Sequence, residues 1–123
     1  MADCDDLRRI AAGLPETAVD VSGDGRLKVT FRGKLLAWSW LERGPTGRRE
    51  ANPHVLAVRT AGQAEKEELL GSEPEVFFTE PHYDGYPAVL VRLGVVPADE
   101  LAELITDAWR IRAPKRLQKE LGL

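Results

Sequence analysis

Four side chains able to accept, donate or stack crowd into residues 82 to 86. They are His82, Tyr83, Asp84 and Tyr86, within the run FFTEPHYDGYPAVLVRL at 77–93. An imidazole near a carboxylate is the pairing of a general base with its orienting group. The run offers no nucleophile beyond Thr79, however, and no glycine-rich oxyanion loop precedes a helix anywhere in the chain. The expectation is a protein that is not an enzyme. The chain's two histidines, His54 and His82, stand in neither an H-x-H nor an H-x-x-x-H spacing, so no metal site and no cofactor is expected. Two readings of the cluster stay open. The rings of Tyr83 and Tyr86 pack on the core while the polar groups satisfy the backbone of a rigid corner, or the cluster faces a groove and binds a ligand.

The second group with chemical potential is electrostatic. Residues 108–123 carry Arg110, Arg112, Lys115, Arg116 and Lys119 against Glu120 alone, so this end sums to +4 and leaves −7 for the remainder of a chain whose net charge is −3. A basic tip on an acidic body can find phosphates even when the total is negative. Arg112 with Arg116, and Lys115 with Lys119, are spaced i, i+4, the interval that brings side chains together on a helix. Arg48 and Arg49, in a glycine- and proline-rich segment, are expected to assist.

Two functions of different class follow. The first is non-enzymatic DNA binding, with phosphate contacts from Arg48, Arg49, Arg110, Arg112, Lys115, Arg116 and Lys119, and therefore strongly salt-dependent. The alternative is a protein- or small-ligand-binding groove lined by His82, Tyr83, Asp84, Tyr86 and Trp109, since aromatic anchors suit such surfaces.

The elements that position these residues are legible from periodicity. Leu7, Ile10, Ala11 and Leu14 repeat as one helix face over 5–14, with acids at its start and Pro15 at its end. LKVTF at 27–31 alternates like a strand, and Arg32-Gly33 offers a tight reversal into KLLAWSWL at 34–41. Leu36, Trp38 and Trp40 are expected to share a face of that second strand.

Residues 42–53 read as a long exposed loop and 54–60 as a strand. Thr60 and Gln63 have the spacing of a capping box, so a helix should run from there to about Leu70, with Gly71 as its stop. A short strand at Val76 to Phe78, an ordered loop from Thr79 to Pro87 and a central strand from Ala88 come next. Asp84-Gly85 is not expected to form a two-residue hairpin, because Pro81 would have to donate an N–H it lacks. Pro97 opens a helix that buries Leu101, Leu104, Ile105 and Ala108, with Trp109 at its edge. After Pro114 a short last helix should turn Leu117 and Leu121 inward.

At 123 residues the chain fits one domain over 1–123. Hydrophobic residues make up 43% and charged residues 30%, enough apolar material for a core under a polar surface. No apolar run is long enough to span a bilayer, no signal-like segment opens the chain, and the single cysteine, Cys4, excludes an internal disulfide. A cytoplasmic monomer without a membrane partner is expected. Helices at both ends and one in the middle of a set of short antiparallel strands point to an α+β fold, with helices packed on one face of an antiparallel sheet.

The run PEVFFTEPHYDGYPAVLVRL, followed by a helix ending in AWRIRAPKRL, resembles the MmcQ/YjbR family of small bacterial proteins. The resemblance extends over nearly the whole chain: the first helix with its LPET end, the RGK hairpin, and the HYDGYP to APKRL portion follow in order. It implies a YjbR-like α+β domain, similar to CyaY (frataxin-like) and double-wing folds, in the bacterial cytoplasm. Members of that family are commonly labelled DNA-binding, and the label agrees with the first of the two functions.

Overall fold

Alternating apolar residues and tight turns build a six-stranded antiparallel sheet, and amphipathic segments build the helices that cover it. The computed structural model describes residues 4–23, 26–43, 49–80, 83 and 85–122. The chain runs α1 (Cys4–Ala12), β1 (Thr17–Val21), β2 (Leu27–Phe31), β3 (Lys34–Arg43), β4 (Arg49–Arg59), α2 (Gln63–Ser72), β5 (Phe77–Phe78), β6 (Ala88–Arg92), α3 (Ala98–Arg112) and α4 (Lys115–Glu120). The strands lie in the order β1-β2-β3-β4-β6-β5, so β6 is inserted between β4 and β5. This is the α+β class expected from the sequence.

One face of the sheet meets the helices. Val29, Phe31, Leu56, Val58, Val89 and Val91 on the strands close on Leu7 of α1, on Leu101, Ile105 and Trp109 of α3, and on Leu117 of α4. Leu69 and Leu70 bring α2 onto the same core. Burying an aliphatic side chain of this size is worth about 1.5–3 kcal/mol, so this layer supplies most of the stability.

Several local expectations change once the strands pair. β1 was not expected, although its alternate β-branched residues Thr17, Val19 and Val21 carry a strand signal. The segment expected as a loop over 42–53 is largely strand. Leu41, Glu42 and Arg43 pair with Ala51, Glu50 and Arg49, because the ladder is made by backbone N–H and C=O groups and so does not require hydrophobic alternation in the side chains.

At α2 the expected capping box does not form. Thr60 Oγ1 donates to the Gly62 carbonyl at 3.1 Å, while the Ala61 N–H donates to Glu65 Oε2 at 2.8 Å. The helix then begins at Gln63 and continues to Ser72, one residue past Gly71. Between β2 and β3 the reversal is as read: Arg32 has φ 49° and Gly33 φ 81°, two left-handed residues in succession.

Three further positions need correction. Trp109 is completely buried rather than at the helix edge. It stacks edge-on with Phe31 at 6.0 Å between centroids, and its indole N–H donates to the Pro15 carbonyl at 3.2 Å. Leu121 is 38% exposed and does not face the core, because α4 stops at Glu120. Arg112 and Arg116 do not share a helix, since Ala113 and Pro114 separate α3 from α4. Among the described residues no helix is long and apolar enough to cross a membrane.

Candidate functional site

A bulge decides which residues face away from the helices. Thr30 pairs with Leu35 and Val29 with Ala37, leaving Leu36 as an extra residue in β3. Such an insertion breaks the two-residue alternation of side chains. Leu36 and Ala37 therefore both enter the helix-side core, while Leu35 and Trp38, three positions apart, emerge together on the opposite face. The expectation that Leu36 shares a face with Trp38 and Trp40 fails for this reason.

That opposite face has its own small core. Val55, Ala57 and Leu90 form its floor, and Trp38, Trp40, Phe78 and Tyr83 lie over them. Large rings from β3 and β5 meet over this floor: Trp40 and Phe78 stand 5.8 Å apart in an edge-to-face pair. Trp38 and Tyr86 do the same at 6.3 Å, and Tyr83 and Tyr86 at 6.2 Å. The rings are mutually packed, so the face is rigid where it is aromatic.

The loop after β5 supplies the two tyrosines and is tied down from several sides. The Trp38 indole N–H donates to Tyr83 Oη at 3.2 Å, and Arg59 Nη2 donates to Tyr86 Oη at 3.2 Å. Lys66, 3% exposed, reaches from α2 and donates to the carbonyls of Tyr83 at 2.5 Å and Tyr86 at 3.0 Å. The backbone N–H of Thr60 donates to the Pro87 carbonyl at 2.8 Å. Between loop and sheet lies a cleft of roughly 310 Å³ lined by Leu35, Trp38, Tyr83 and Tyr86. Leu35 is 37% and Tyr86 40% exposed, so apolar and aromatic surface here meets water.

Cations border the aromatic face. The Arg59 guanidinium lies 5.8 Å from the Tyr86 ring centre, and the Arg92 guanidinium 4.2 Å from that of Phe78. Arg92 also donates to the Pro74 carbonyl at 3.1 Å. Lys28 is the cross-strand neighbour of Trp38 and points the same way.

Of the residues expected to bind, the structure brings Tyr83 and Tyr86 together in this cleft. His82 and Asp84 lie outside the described residues, as does Arg48. Trp109 belongs to the helix-side core and cannot line a surface groove. Lys115, Arg116 and Lys119 are exposed on α4. Arg110 stands 4.0 Å from Asp107, and Arg112 is half-buried.

These basic residues lie on the helical side, opposite the aromatic cleft, so the two groups do not share one groove. Through Trp109 and Pro15 the end of α3 sits by the β2–β3 turn, where Arg32 donates to Glu16 at 2.5 Å. That bond, with Arg32 and Arg116 charges nearby, holds the Glu16 carboxyl below its ordinary value. Arg49 opens β4 at the other end of the sheet, the length of an 11-residue strand from Arg59.

The residues that sequence reasoning missed are Leu35, Arg59, Lys66 and Arg92. Leu35 was hidden by the bulge, and Lys66 sits in a helix rich in exposed charge with no local mark of burial. No cluster of three or more histidine, cysteine or acidic side chains suited to a metal ion occurs among the described residues.

Comparison with known proteins follows the same outline. Residues 12–111 match the model of the family described as YjbR. The uncharacterized proteins Mb2600 of Mycobacterium bovis and Rv2570 of Mycobacterium tuberculosis are each 43% identical over 124 residues, covering 95% of this chain and 93% of theirs. The crystal structure of Deinococcus radiodurans protein DR2400, whose domain is described as DUF419, is similar at a TM-score of 0.66 and 26% identity, covering 100% of this chain and 90% of that one.

Proposed function

This chain belongs to the YjbR family, and on that premise we propose that it is a non-enzymatic binding domain whose recognition surface is the helix-free face of the sheet. The observation that carries this reading is the cleft between Leu35, Trp38, Tyr83 and Tyr86, open to water yet built from apolar and aromatic groups. Ligand sites are typically concave, largely apolar and preformed, with a few polar groups at fixed positions. Here Arg59 and the Tyr86 hydroxyl are those groups.

The test is a panel of one- and two-ring aromatic fragments titrated into ¹⁵N-labelled protein. Amide and indole shifts should concentrate at Leu35, Trp38, Tyr83 and Tyr86 and should vanish in the variants Leu35→Asp and Tyr86→Ala. Shifts elsewhere only, or shifts that persist in both variants, overturn the reading.

A second reading keeps DNA as the partner and rests on α4, where Lys115, Arg116 and Lys119 are exposed and the first turn contains no acid. Phosphate contacts release counterions, so each one steepens the salt dependence of binding. Fluorescence anisotropy with a short duplex and a single strand should show affinity falling between about 50 and 200 mM salt, with a log-log slope reduced by roughly 2–3 when all three side chains are changed to Ala. Binding that ignores salt, or none at micromolar protein, removes this reading.

A further inference from the structure

We infer that the cleft receives a single large apolar or aromatic side chain from an acidic peptide segment of another protein. This rests on the cleft reading above and adds the chemistry of the occupant. Three features of the site lead to it.

The first is size. A volume of roughly 310 Å³ stands at the lower limit of ligand pockets. It has room for one ring or branched chain, the kind of anchor that carries much of the energy in protein interfaces.

The second is charge. Arg59 hydrogen-bonds the Tyr86 hydroxyl at the rim and lies over its ring, and no ion pair links it to a carboxylate among the described residues. Arg92 emerges on the same face opposite Val55. Lys28 stands beside Trp38, with Asp20 of β1 across from it. By strand register Asp20 stands on this face at the sheet's edge. A partner whose anchor is flanked by carboxylates meets Arg59 on one side of the cleft and Lys28 on the other.

The third is rigidity. Lys66, Trp38 and Arg59 already hold Tyr83 and Tyr86 in place, so little of their freedom is left to lose when the partner docks.

A polyanionic strand fits these features less well. The aromatic cleft has room for one ring rather than a series of stacking platforms, and Lys28, Arg59 and Arg92 stand on three different strands rather than along one groove. The net charge of −3 would also oppose a long polyanion. A short acidic segment meets only the local field.

The experiment is selection from a displayed random peptide library on the full-length protein, followed by titration of the enriched peptides against wild type, Leu35→Asp, Tyr86→Ala and Arg59→Glu. Folding of each variant is checked by its melting curve. Enriched peptides should hold one large apolar or aromatic residue within a few positions of two or more acids. Their affinity should fall about tenfold with Arg59→Glu and at least as far with Leu35→Asp.

Peptides that need Leu35 and Tyr86 but are neutral or basic would overturn the acidic-partner inference and leave the cleft reading standing. Peptides indifferent to Leu35→Asp and Tyr86→Ala would overturn both. A preference of the cleft for single-stranded oligonucleotides over every selected peptide would replace the protein partner with a nucleic acid. A concentration-dependent dimer abolished by Leu35→Asp would replace it with a second copy of this chain.

Discussion

An ammonium group taken out of water needs acceptors for its protons, and Lys66 finds them in the carbonyls of Tyr83 and Tyr86. A single buried side chain thus fastens α2 to the loop that forms one wall of the cleft. Hydrogen bonds to a charged donor are worth about 1.5–3 kcal/mol, and losing the donor leaves both carbonyls without it. Lys66→Met should therefore destabilise the fold by roughly 2 kcal/mol in urea denaturation and broaden the backbone resonances of residues 83 and 85–87. A variant as stable as wild type, with sharp loop signals, would show that the rings alone hold the loop. The sequence singled out Tyr83 and Tyr86 as candidates but could not show Lys66, because a lysine in QAEKEELLGS looks like any other solvated helix charge. Trp109 failed in the opposite sense: its indole N–H is satisfied by Pro15, 94 residues away in the chain.

Among the elements, β3 matters most for the site. Its bulge at Leu36 reverses the order in which residues before Trp38 face core and solvent. Leu36 is completely buried, whereas Leu35 is 37% exposed. Removing a buried leucine's methyl groups costs about 2–5 kcal/mol, partly through the cavity left behind, while a half-exposed surface position costs less than about 1 kcal/mol. Leu36→Ala should be the costly change and Leu35→Ala the mild one, measured by equilibrium unfolding. Strict alternation from Trp38 would give the reverse ranking. The pattern KLLAWSWL marked the strand correctly but not its register, since Leu35 and Leu36 are chemically identical candidates for the core. The extent of the β3–β4 hairpin was equally invisible, because Glu42, Arg43, Arg49 and Glu50 at its paired ends show no apolar alternation.

For the whole molecule, charge is distributed so that its layers respond differently to pH. Glu100 of α3 shares a hydrogen bond with Glu73 at the end of α2, and this bond, with partial burial and the negative charges of Glu73, Glu103 and Asp99, pushes its carboxyl up to about 7. Between the ordinary carboxyl value and about 7 the folded protein holds a proton that the unfolded chain has released. Stability from this group is therefore full below that window and is lost as pH rises through it. Melting temperature should fall from pH 5 to pH 8, and Glu100→Gln should flatten that slope; an unchanged slope would show that the pair does not share a proton. Glu16 acts in the opposite direction, its contribution from Arg32 being lost in acid.

By itself the sequence determined the order of the helices and of five of the six strands, the interior position of Ala88–Arg92, the α+β class and the family resemblance. Those features rest on periodicity, prolines and turn residues that act over a few positions. Only the tertiary structure decided that Leu35 joins Trp38, that Trp38 meets Tyr83 across 45 residues of chain, and that the basic helix and the aromatic cleft lie on opposite sides. Each of these depends on strand register and on neighbours brought in from afar, which no local pattern encodes.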